Sequence, residues 1–181
     1  MKRSLLLLTL LLLFYDGRPS LFASVEIYTL PYQARPALRK MLDAIDSAHY
    51  RIDAAIYSFT HKSIAKHLAA AARRGVRIRI LFDRSSNLHN PKSRIGYLAK
   101  YRNIDVFTLS GRHYRGPDSE KALMHMKTMV IDNRRIVTGS ANWTYSAFGK
   151  NYETFCIIDD YGLARKVSSA LQRMAKEAKP Y

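Results

Sequence analysis

The chain has 181 residues, enough for one domain of ordinary size and too few for two good hydrophobic cores. Its 30 Lys and Arg residues outnumber 14 Asp and Glu residues, which gives a formal net charge of +16. The single cysteine, Cys156, excludes an intrachain disulfide and a thiolate-rich zinc or iron–sulfur site. We therefore expect a domain stabilised by its hydrophobic core, with a surface that attracts polyanions.

The first 23 residues have the pattern of an export signal. The positive residues Lys2 and Arg3 precede an apolar run at 5–14, and the segment 16–19 ends this pattern. Such a run suits the apolar part of a secretory signal, whereas a membrane-spanning helix needs about 20 residues. Cleavage after Ala23 fits this pattern, but Leu21 is bulkier than the usual residue there, so retention as a membrane anchor is the alternative. We expect an exported protein, either periplasmic or anchored in the membrane and facing the periplasm.

The rest of the chain alternates between strand and helix patterns. In order, we predict a strand at 25–30, a helix opened by Pro36, a strand at 51–59, a helix capped by Thr60, a strand at 76–82, a helix near 93–101, a strand at 104–109, a polar loop at 110–121, strands at 122–131, 135–140 and 154–158, and a closing helix with Leu163, Val167, Ala170, Leu171 and Met174 on its inner face. A strand, a helix and a strand within 51–82 form a βαβ unit, which predicts parallel strands covered by helices. We predict one α/β domain spanning residues 24–181.

Four polar residues of one predicted hairpin form the candidate site: His125, Lys127, Ser140 and Asn142. Asn133 and Arg134 suit a two-residue turn, because Asn tolerates positive φ. Such a turn places His125 opposite Asn142 and Lys127 opposite Ser140, with all four side chains on one face. Directly opposed residues have Cβ atoms about 5 Å apart, close enough for one phosphate to contact all four.

Asp132 lies beside this turn, and the alternation of a strand places its side chain on the opposite face from His125 and Lys127. We expect its carboxylate to be a structural hydrogen-bond acceptor, or an ion-pair partner for Arg134 and Arg135, away from the reacting atoms.

These residue types suit phosphoryl transfer without a metal ion. An imidazole acts as a nucleophile or proton carrier near neutral pH, and an ammonium and an amide stabilise the negative charge on phosphate oxygens. The segment has no cluster of Asp and Glu that would hold a divalent cation, so we predict no metal and no other cofactor. A polar hairpin face turned to solvent is the alternative, and the agreement of four positions in one hairpin weighs against it.

The motif resembles the HKD signature of the phospholipase D superfamily. Its elements are His125-x-Lys127, then Asp132 after four residues, then Gly139-Ser140-x-Asn142 after six more. Downstream, Glu153 resembles the acidic residue that orients a motif histidine in this family. The stretches 55–60 and 75–83 are also similar, so that the resemblance covers about residues 24–178.

The resemblance is nearest to the small bacterial Nuc-like endonucleases, which carry one HKD motif per chain, and more distant to mitochondrial phospholipase D. It implies a phospholipase D-like mixed β-sheet flanked by helices in a single domain. It also implies that one histidine attacks phosphorus to form a phosphohistidine while a second protonates the leaving oxygen. Because the chain has one motif, a homodimer with a shared cleft is implied.

The resemblance also assigns roles to the motif residues. His125 is the nucleophile or the acid, Lys127 and Asn142 hold the phosphate, Ser140 supports the site, and Glu153 holds an imidazole. Asp132 and Gly139 are structural members of the motif.

We expect the substrate to be single-stranded nucleic acid, because the chain is basic and cations alternate with aromatic rings in Arg112-His113-Tyr114-Arg115. Trp143, beside the motif, is a further candidate for contact with a base. Two alternatives remain at this point. One is a phospholipase D acting on an anionic lipid such as cardiolipin, which the positive charge also suits. The other is a non-catalytic protein that binds polyanions.

Overall fold

The computed structural model describes residues 23–112 and 122–181. The predicted export segment and three of the predicted substrate contacts, His113, Tyr114 and Arg115, lie outside the described residues. In chain order the elements are β1 (Ser24–Leu30), α1 (Ala34–Asp46), β2 (Arg51–Ile56), α2 (Lys62–Arg73), β3 (Arg77–Asp83), α3 (Arg84–Asn87), α4 (Ile95–Leu98), β4 (Ile104–Leu109), β5 (Lys127–Ile131), β6 (Arg135–Gly139), α5 (Tyr145–Gly149), β7 (Glu153–Asp159), α6 (Tyr161–Glu177) and β8 (Lys179–Pro180).

The eight strands form one mixed sheet in the order β1-β7-β6-β5-β2-β3-β4-β8. Strands β2, β3 and β4 are parallel, as the predicted βαβ unit requires, and the other neighbouring pairs are antiparallel. The described chain is therefore a single α/β domain built on a mixed sheet, which confirms the predicted fold class.

Helices cover both faces of the sheet, and each face has its own core. The larger core contains Met41 and Ile45 of α1 and Ile64 and Leu68 of α2, packed against alternate residues of the strands. The smaller core lies under α6, where Leu171 packs against the opposite face. Burial on both faces explains why β2 and β5 are buried along nearly their whole length.

The β5–β6 hairpin differs from its prediction by one residue. Thr128 pairs with Thr138, and Ile131 pairs with Arg135, so three residues rather than two separate the strands. Both Asp132 and Asn133 have positive φ, of 51° and 50°. Continued by one residue, this register places Lys127 opposite Gly139. The predicted pairs His125–Asn142 and Lys127–Ser140 are therefore wrong.

Several element boundaries also differ. Strand β5 begins at Lys127 instead of residue 122, and His61 rather than Thr60 precedes α2. The short helices α3 and α5 and the short strand β8 were not predicted. In α6 the buried residues are Ala164, Ser168 and Leu171, whereas Leu163 is 47% exposed.

The error in α6 has a physical reason. The Ser168 hydroxyl donates to the buried carboxylate of Asp53 at 3.2 Å, which turns the small residues of the helix toward the sheet. No helix within the described ranges is both long and apolar enough to cross a membrane.

Candidate active site

The candidate site lies at one edge of the sheet, where the carboxyl ends of β2 and β6 meet the amino ends of β5 and β7. Tyr57 follows β2, His125 precedes β5, Ser140 follows β6, and Glu153 begins β7. The antiparallel order β7-β6-β5-β2 therefore brings the motif residues to one edge, even though the hairpin register is not the predicted one.

Gly139 allows the second half of the motif to leave β6. Its φ is +146°, and a Cβ atom at this position would lie 2.1 Å from the carbonyl oxygen of Thr154. Only glycine fits there, since it has no Cβ and tolerates positive φ. Beyond Gly139 the chain turns toward β2, and the Trp143 N–H donates to the Ser58 carbonyl oxygen at 3.0 Å.

The first half of the motif contacts the same short segment. The Tyr57 N–H donates to the carbonyl oxygen of Met126 at 2.8 Å, and the Thr60 N–H donates to that of Trp143 at 3.0 Å. The segment 57–60 thus pairs with both halves of the motif. This contact, rather than direct cross-strand pairing, gathers the polar residues.

His125 and Lys127 pack against one tyrosine ring. The centroids of the His125 and Tyr57 rings are 4.5 Å apart, and Lys127 Nζ lies 4.9 Å from the Tyr57 centroid. Lys127 Nζ also donates to the His125 carbonyl oxygen at 2.7 Å. Tyr57 therefore positions both residues, through ring packing and a cation–π contact. The sequence analysis did not identify it as a site residue.

Lys127 is a buried cation, with 6% of its surface exposed, whereas His125 is exposed. Burial lowers the pKa of Lys127 below its ordinary value, and the charges of Glu153 and Asp83 oppose this shift. A poorly hydrated ammonium interacts strongly with an incoming anion, since little water has to be removed. Lys127 is thus suited to stabilise negative charge on phosphate oxygens.

Ser140 and Glu153 form a second polar pair. The Ser140 hydroxyl donates to Glu153 Oε2 at 2.5 Å and accepts from the Thr154 N–H at 3.0 Å. Asn151 Nδ2 donates to Glu153 Oε1 at 3.3 Å. In the described chain the carboxylate therefore bonds to Ser140 and Asn151, and its implied role in holding an imidazole stays a prediction.

Asn142 has a buried side-chain oxygen, Oδ1, with no hydrogen-bond partner among the described residues. Buried polar atoms normally have a partner, and an exception is typical of a functional site. This oxygen is therefore available to a hydrogen-bond donor beyond the described residues.

Asp132 is a structural hydrogen-bond acceptor at the opposite edge of the sheet. Its carboxylate accepts from the N–H groups of His49, Tyr50 and Arg51, at 2.8, 3.0 and 2.9 Å. The other predicted role, an ion pair with the neighbouring arginines, is wrong for Arg135, because that side chain forms its ion pair with Asp159.

Two buried polar residues that the sequence analysis did not assign to the site hold its main-chain segments. Asp83 Oδ2 accepts from the Met124 N–H at 3.1 Å, just before His125. Asn87 Nδ2 donates to the Tyr57 carbonyl oxygen at 2.7 Å. Both side chains are 1% exposed. Asp83 is the last residue of the parallel strand β3 and Asn87 follows it closely, and this position at the carboxyl end of a parallel strand is the signal that would have identified both residues.

Exposed tyrosine rings lie beside the Ser140–Glu153 pair. Tyr32 and Tyr152 are 78% and 80% exposed, and their ring centroids are 6.1 Å apart. With Ser140 and Glu153 they line a pocket of about 420 Å³. Open ring faces of this kind stack on nucleic-acid bases.

The structure does not support the predicted contact between Trp143 and a base. Trp143 is 2% exposed, and its ring packs edge-on against Phe59 at 4.9 Å, so it belongs to the core. Arg112 is at the surface and donates to Glu177 at 2.6 Å. Within the described ranges, no three or more His, Cys, Asp or Glu residues are grouped so as to hold a metal ion.

Comparison with known proteins identifies the family. Residues 41–175 match the family model described as cardiolipin synthase, PLD-like domain. The chain belongs to this family and hence to the phospholipase D superfamily of phosphodiesterases, which the HKD motif predicted.

Two solved structures are similar to nearly the whole domain. NucT from Helicobacter pylori has 36% sequence identity and a TM-score of 0.85, over 88% of this chain and 100% of that chain. Nuc from Salmonella typhimurium, a phospholipase D family member, has 29% identity and a TM-score of 0.72, over 88% and 99% of the two chains.

Curated relatives are longer proteins. The mitochondrial cardiolipin hydrolase of Xenopus laevis is 31% identical over 80% of this chain and 63% of its own length. The chain spans between 53% and 63% of the length of the first curated relatives that it matches.

Proposed function

We propose that the protein is an endonuclease that cleaves single-stranded nucleic acid. One observation carries this proposal: His125 and the buried Lys127 pack on Tyr57 at the same sheet edge as the exposed rings of Tyr32 and Tyr152. The first group suits attack on a phosphodiester, and the second suits stacking on unpaired bases. The net charge of +16 supports attraction of a polyanion.

The proposed reaction has two steps. A ring nitrogen of His125 attacks phosphorus and forms a phosphohistidine as the bond to the leaving oxygen breaks. A second, protonated histidine gives its proton to that oxygen. Water then attacks the phosphohistidine, transfers a proton back to the second histidine and releases the product phosphate ester.

The remaining motif residues stabilise this transfer. Lys127 and the Asn142 amide donate to the non-bridging oxygens, whose negative charge grows in the transition state. The Lys127 ammonium supplies the charge that a divalent cation supplies in other phosphoryl-transfer enzymes, so the proposed reaction needs no metal or other cofactor.

The second histidine comes from a second copy of the chain in this proposal. The chain has one HKD motif, and a two-fold axis through the site would bring two copies of His125 together. In this proposal Glu153 holds one of the two imidazoles, and its bonds to Ser140 and Asn151 fix the orientation of its carboxylate.

The proposed location is outside the cytoplasm. The charged and apolar pattern of residues 1–23 supports export into the periplasm, with the segment either removed or kept as a membrane anchor.

Hydrolysis of an anionic phospholipid is the second candidate function. It is favoured by the similarity to relatives named mitochondrial cardiolipin hydrolase. The same phosphodiester chemistry serves both functions, so that the choice depends on the surface around the site.

One assay separates these functions. The purified protein is incubated in EDTA with single-stranded DNA, RNA, duplex DNA and cardiolipin vesicles. We expect cleavage of the single strands, its loss in His125→Ala and its retention in the control His49→Ala, because the His49 side chain is 86% exposed at the opposite edge. Lipid turnover alone would establish the second function, and binding without any turnover would show a non-catalytic protein.

A further inference from the structure

A second cationic pocket lies on the α6 face of the sheet, away from the HKD residues. Its volume is about 350 Å³, within the range of about 300–1,000 Å³ that is usual for small-molecule sites. Its lining consists of Arg51, Arg79, Phe107, Gln172, Ala175 and Lys176. Asp83 is at the active-site edge of β3, and Arg79 lies four residues before it in the same strand. The main-chain positions of the two residues are therefore roughly 13 Å apart.

The lining of this pocket carries more positive than negative charge. Three cations and an amide line it, and no carboxylate does. Arg51 is paired with the buried Asp53 through contacts of 2.6 and 3.1 Å. Arg79 and Lys176 form no ion pair within the described residues, although Asp53 and Asp105 lie opposite Arg79 on the neighbouring strands and line the adjoining pocket with it.

The Arg79 side chain points to a missing ligand. Its Nε atom is buried and has no hydrogen-bond partner among the described residues. A buried donor without an acceptor is costly, since it has lost its water and gained nothing in return. A guanidinium presents several N–H donors in one plane, an arrangement that matches the oxygens of a phosphate.

We propose that this pocket is a second phosphate-binding site that takes a nucleotide-sized phosphate monoester. Arg79 and Lys176 bind the phosphate, and Gln172 adds an amide donor. The half-buried Phe107 ring and the Ala175 methyl group offer an apolar surface to the attached nucleoside. The phosphate belongs either to a free mononucleotide or to the end of a nucleic-acid strand. The site uses none of the HKD residues, so it stands independently of the proposed nuclease function.

The buried Nε–H of Arg79 provides a direct probe. Nitrogen–proton NMR spectra of the intact protein resolve arginine Nε–H groups, and loss of one signal in Arg79→Lys assigns it. We expect adenosine monophosphate to shift this signal in a saturable manner, and adenosine, which lacks the phosphate, to leave it unchanged. Lys176→Gln should weaken binding of the nucleotide at least tenfold, whereas the matched control Lys166→Gln, on an exposed position of the same helix, should not.

Three further arms complete the test. Lys127→Ala should leave the Arg79 shift intact, because that lysine belongs to the other site; loss of the shift would overturn the proposal. A shift by a 5′-phosphorylated oligonucleotide, but not by its 5′-hydroxyl form, would identify strand ends as ligands, and a shift by the free nucleotide alone would identify mononucleotides. Inorganic phosphate binding as tightly as adenosine monophosphate, or no saturable shift with any of these compounds, would contradict a nucleotide-sized site.

Discussion

The Lys127 ammonium donates a 2.7 Å hydrogen bond to the main-chain carbonyl oxygen of His125. The Tyr57 ring lies against both residues. The proposed nucleophile and the proposed phosphate-binding cation are therefore held together before any substrate binds. Such preorganisation lowers the reaction barrier, because the groups need not be ordered during the reaction.

Lys127→Met should abolish activity without destabilising the fold. Removal of a donor to transition-state charge costs roughly 10²–10³-fold in kcat, and KM should change little, because many other cations remain. The free energy of unfolding at neutral pH should be unchanged or higher by up to about 2 kcal/mol, since the variant no longer buries a charge. Steady-state kinetics and urea unfolding measure the two effects.

The pH dependence of this stability difference has a definite sign. Burial lowers the pKa of Lys127 from the ordinary value of 10.5 in the unfolded chain, so the cost of the buried charge is fully present below the lowered pKa. As the pH rises from that lowered pKa toward 10.5, folded Lys127 loses its proton and the advantage of Lys127→Met should shrink. An advantage that grows over this range would contradict the assigned desolvation.

Tyr57→Phe and Tyr57→Leu should have different effects. Phenylalanine keeps the ring against His125 and Lys127, whereas leucine removes both the ring packing and the cation–π contact. A partly buried cation–π contact contributes about 1–2 kcal/mol, so we expect kcat to fall about 10-fold or more for leucine and less than 3-fold for phenylalanine. Equal losses in the two variants would assign the effect to the hydroxyl group or to the main chain instead.

Gly139→Ala should disrupt the site through the backbone. The added Cβ atom would lie 2.1 Å from the Thr154 carbonyl oxygen, at a φ of +146°. We expect a loss of about 2–4 kcal/mol in the free energy of unfolding, because strand β7 must move or Gly139 must change its conformation. Gly149→Ala is the matched control, since a Cβ there has no neighbour within 4 Å. Similar thermal stability of the two variants would show that this edge is loosely packed.

Tyr152→Leu should weaken binding of single-stranded DNA. Stacking of a base on an aromatic ring contributes about 1–3 kcal/mol, so Kd should rise about 5-fold or more. Tyr161→Leu is the control, because that ring is 55% exposed but lies beyond β7, at the opposite edge. Fluorescence anisotropy with a labelled oligonucleotide measures both, and an equal effect at Tyr161 would mean that binding depends on general surface properties.

The sequence predicts the parallel strands and the residues of the motif, but not how the motif residues meet. Asp132 adopts positive φ while its carboxylate binds the N–H groups of residues 49–51, more than 80 positions earlier. A local turn rule does not include this contact, so it chooses a two-residue turn and shifts the register. Pairing of both motif halves with residues 57–60 is likewise a tertiary property.

Aromatic residues show the same limit. Trp143 adjoins the motif in sequence, yet its ring packs on Phe59 in the core. Tyr32 is more than 100 residues away from Tyr152 in sequence, yet the two rings lie together because β1 pairs with β7. Proximity in sequence to the motif therefore led to one wrong prediction, Trp143, and gave no indication of Tyr32 or Tyr152.

Mixing intact and inactive subunits tests the shared site most directly. Intact chains and His125→Ala chains are refolded together in equal amounts. The activity of the mixture is compared with that of a reference sample that has the same total protein concentration and contains intact chains only. If each cleft needs a histidine from both subunits, only dimers of two intact chains are active, and about one quarter of the activity should remain. Retention of about one half would show that each subunit acts alone and would contradict the two-histidine mechanism.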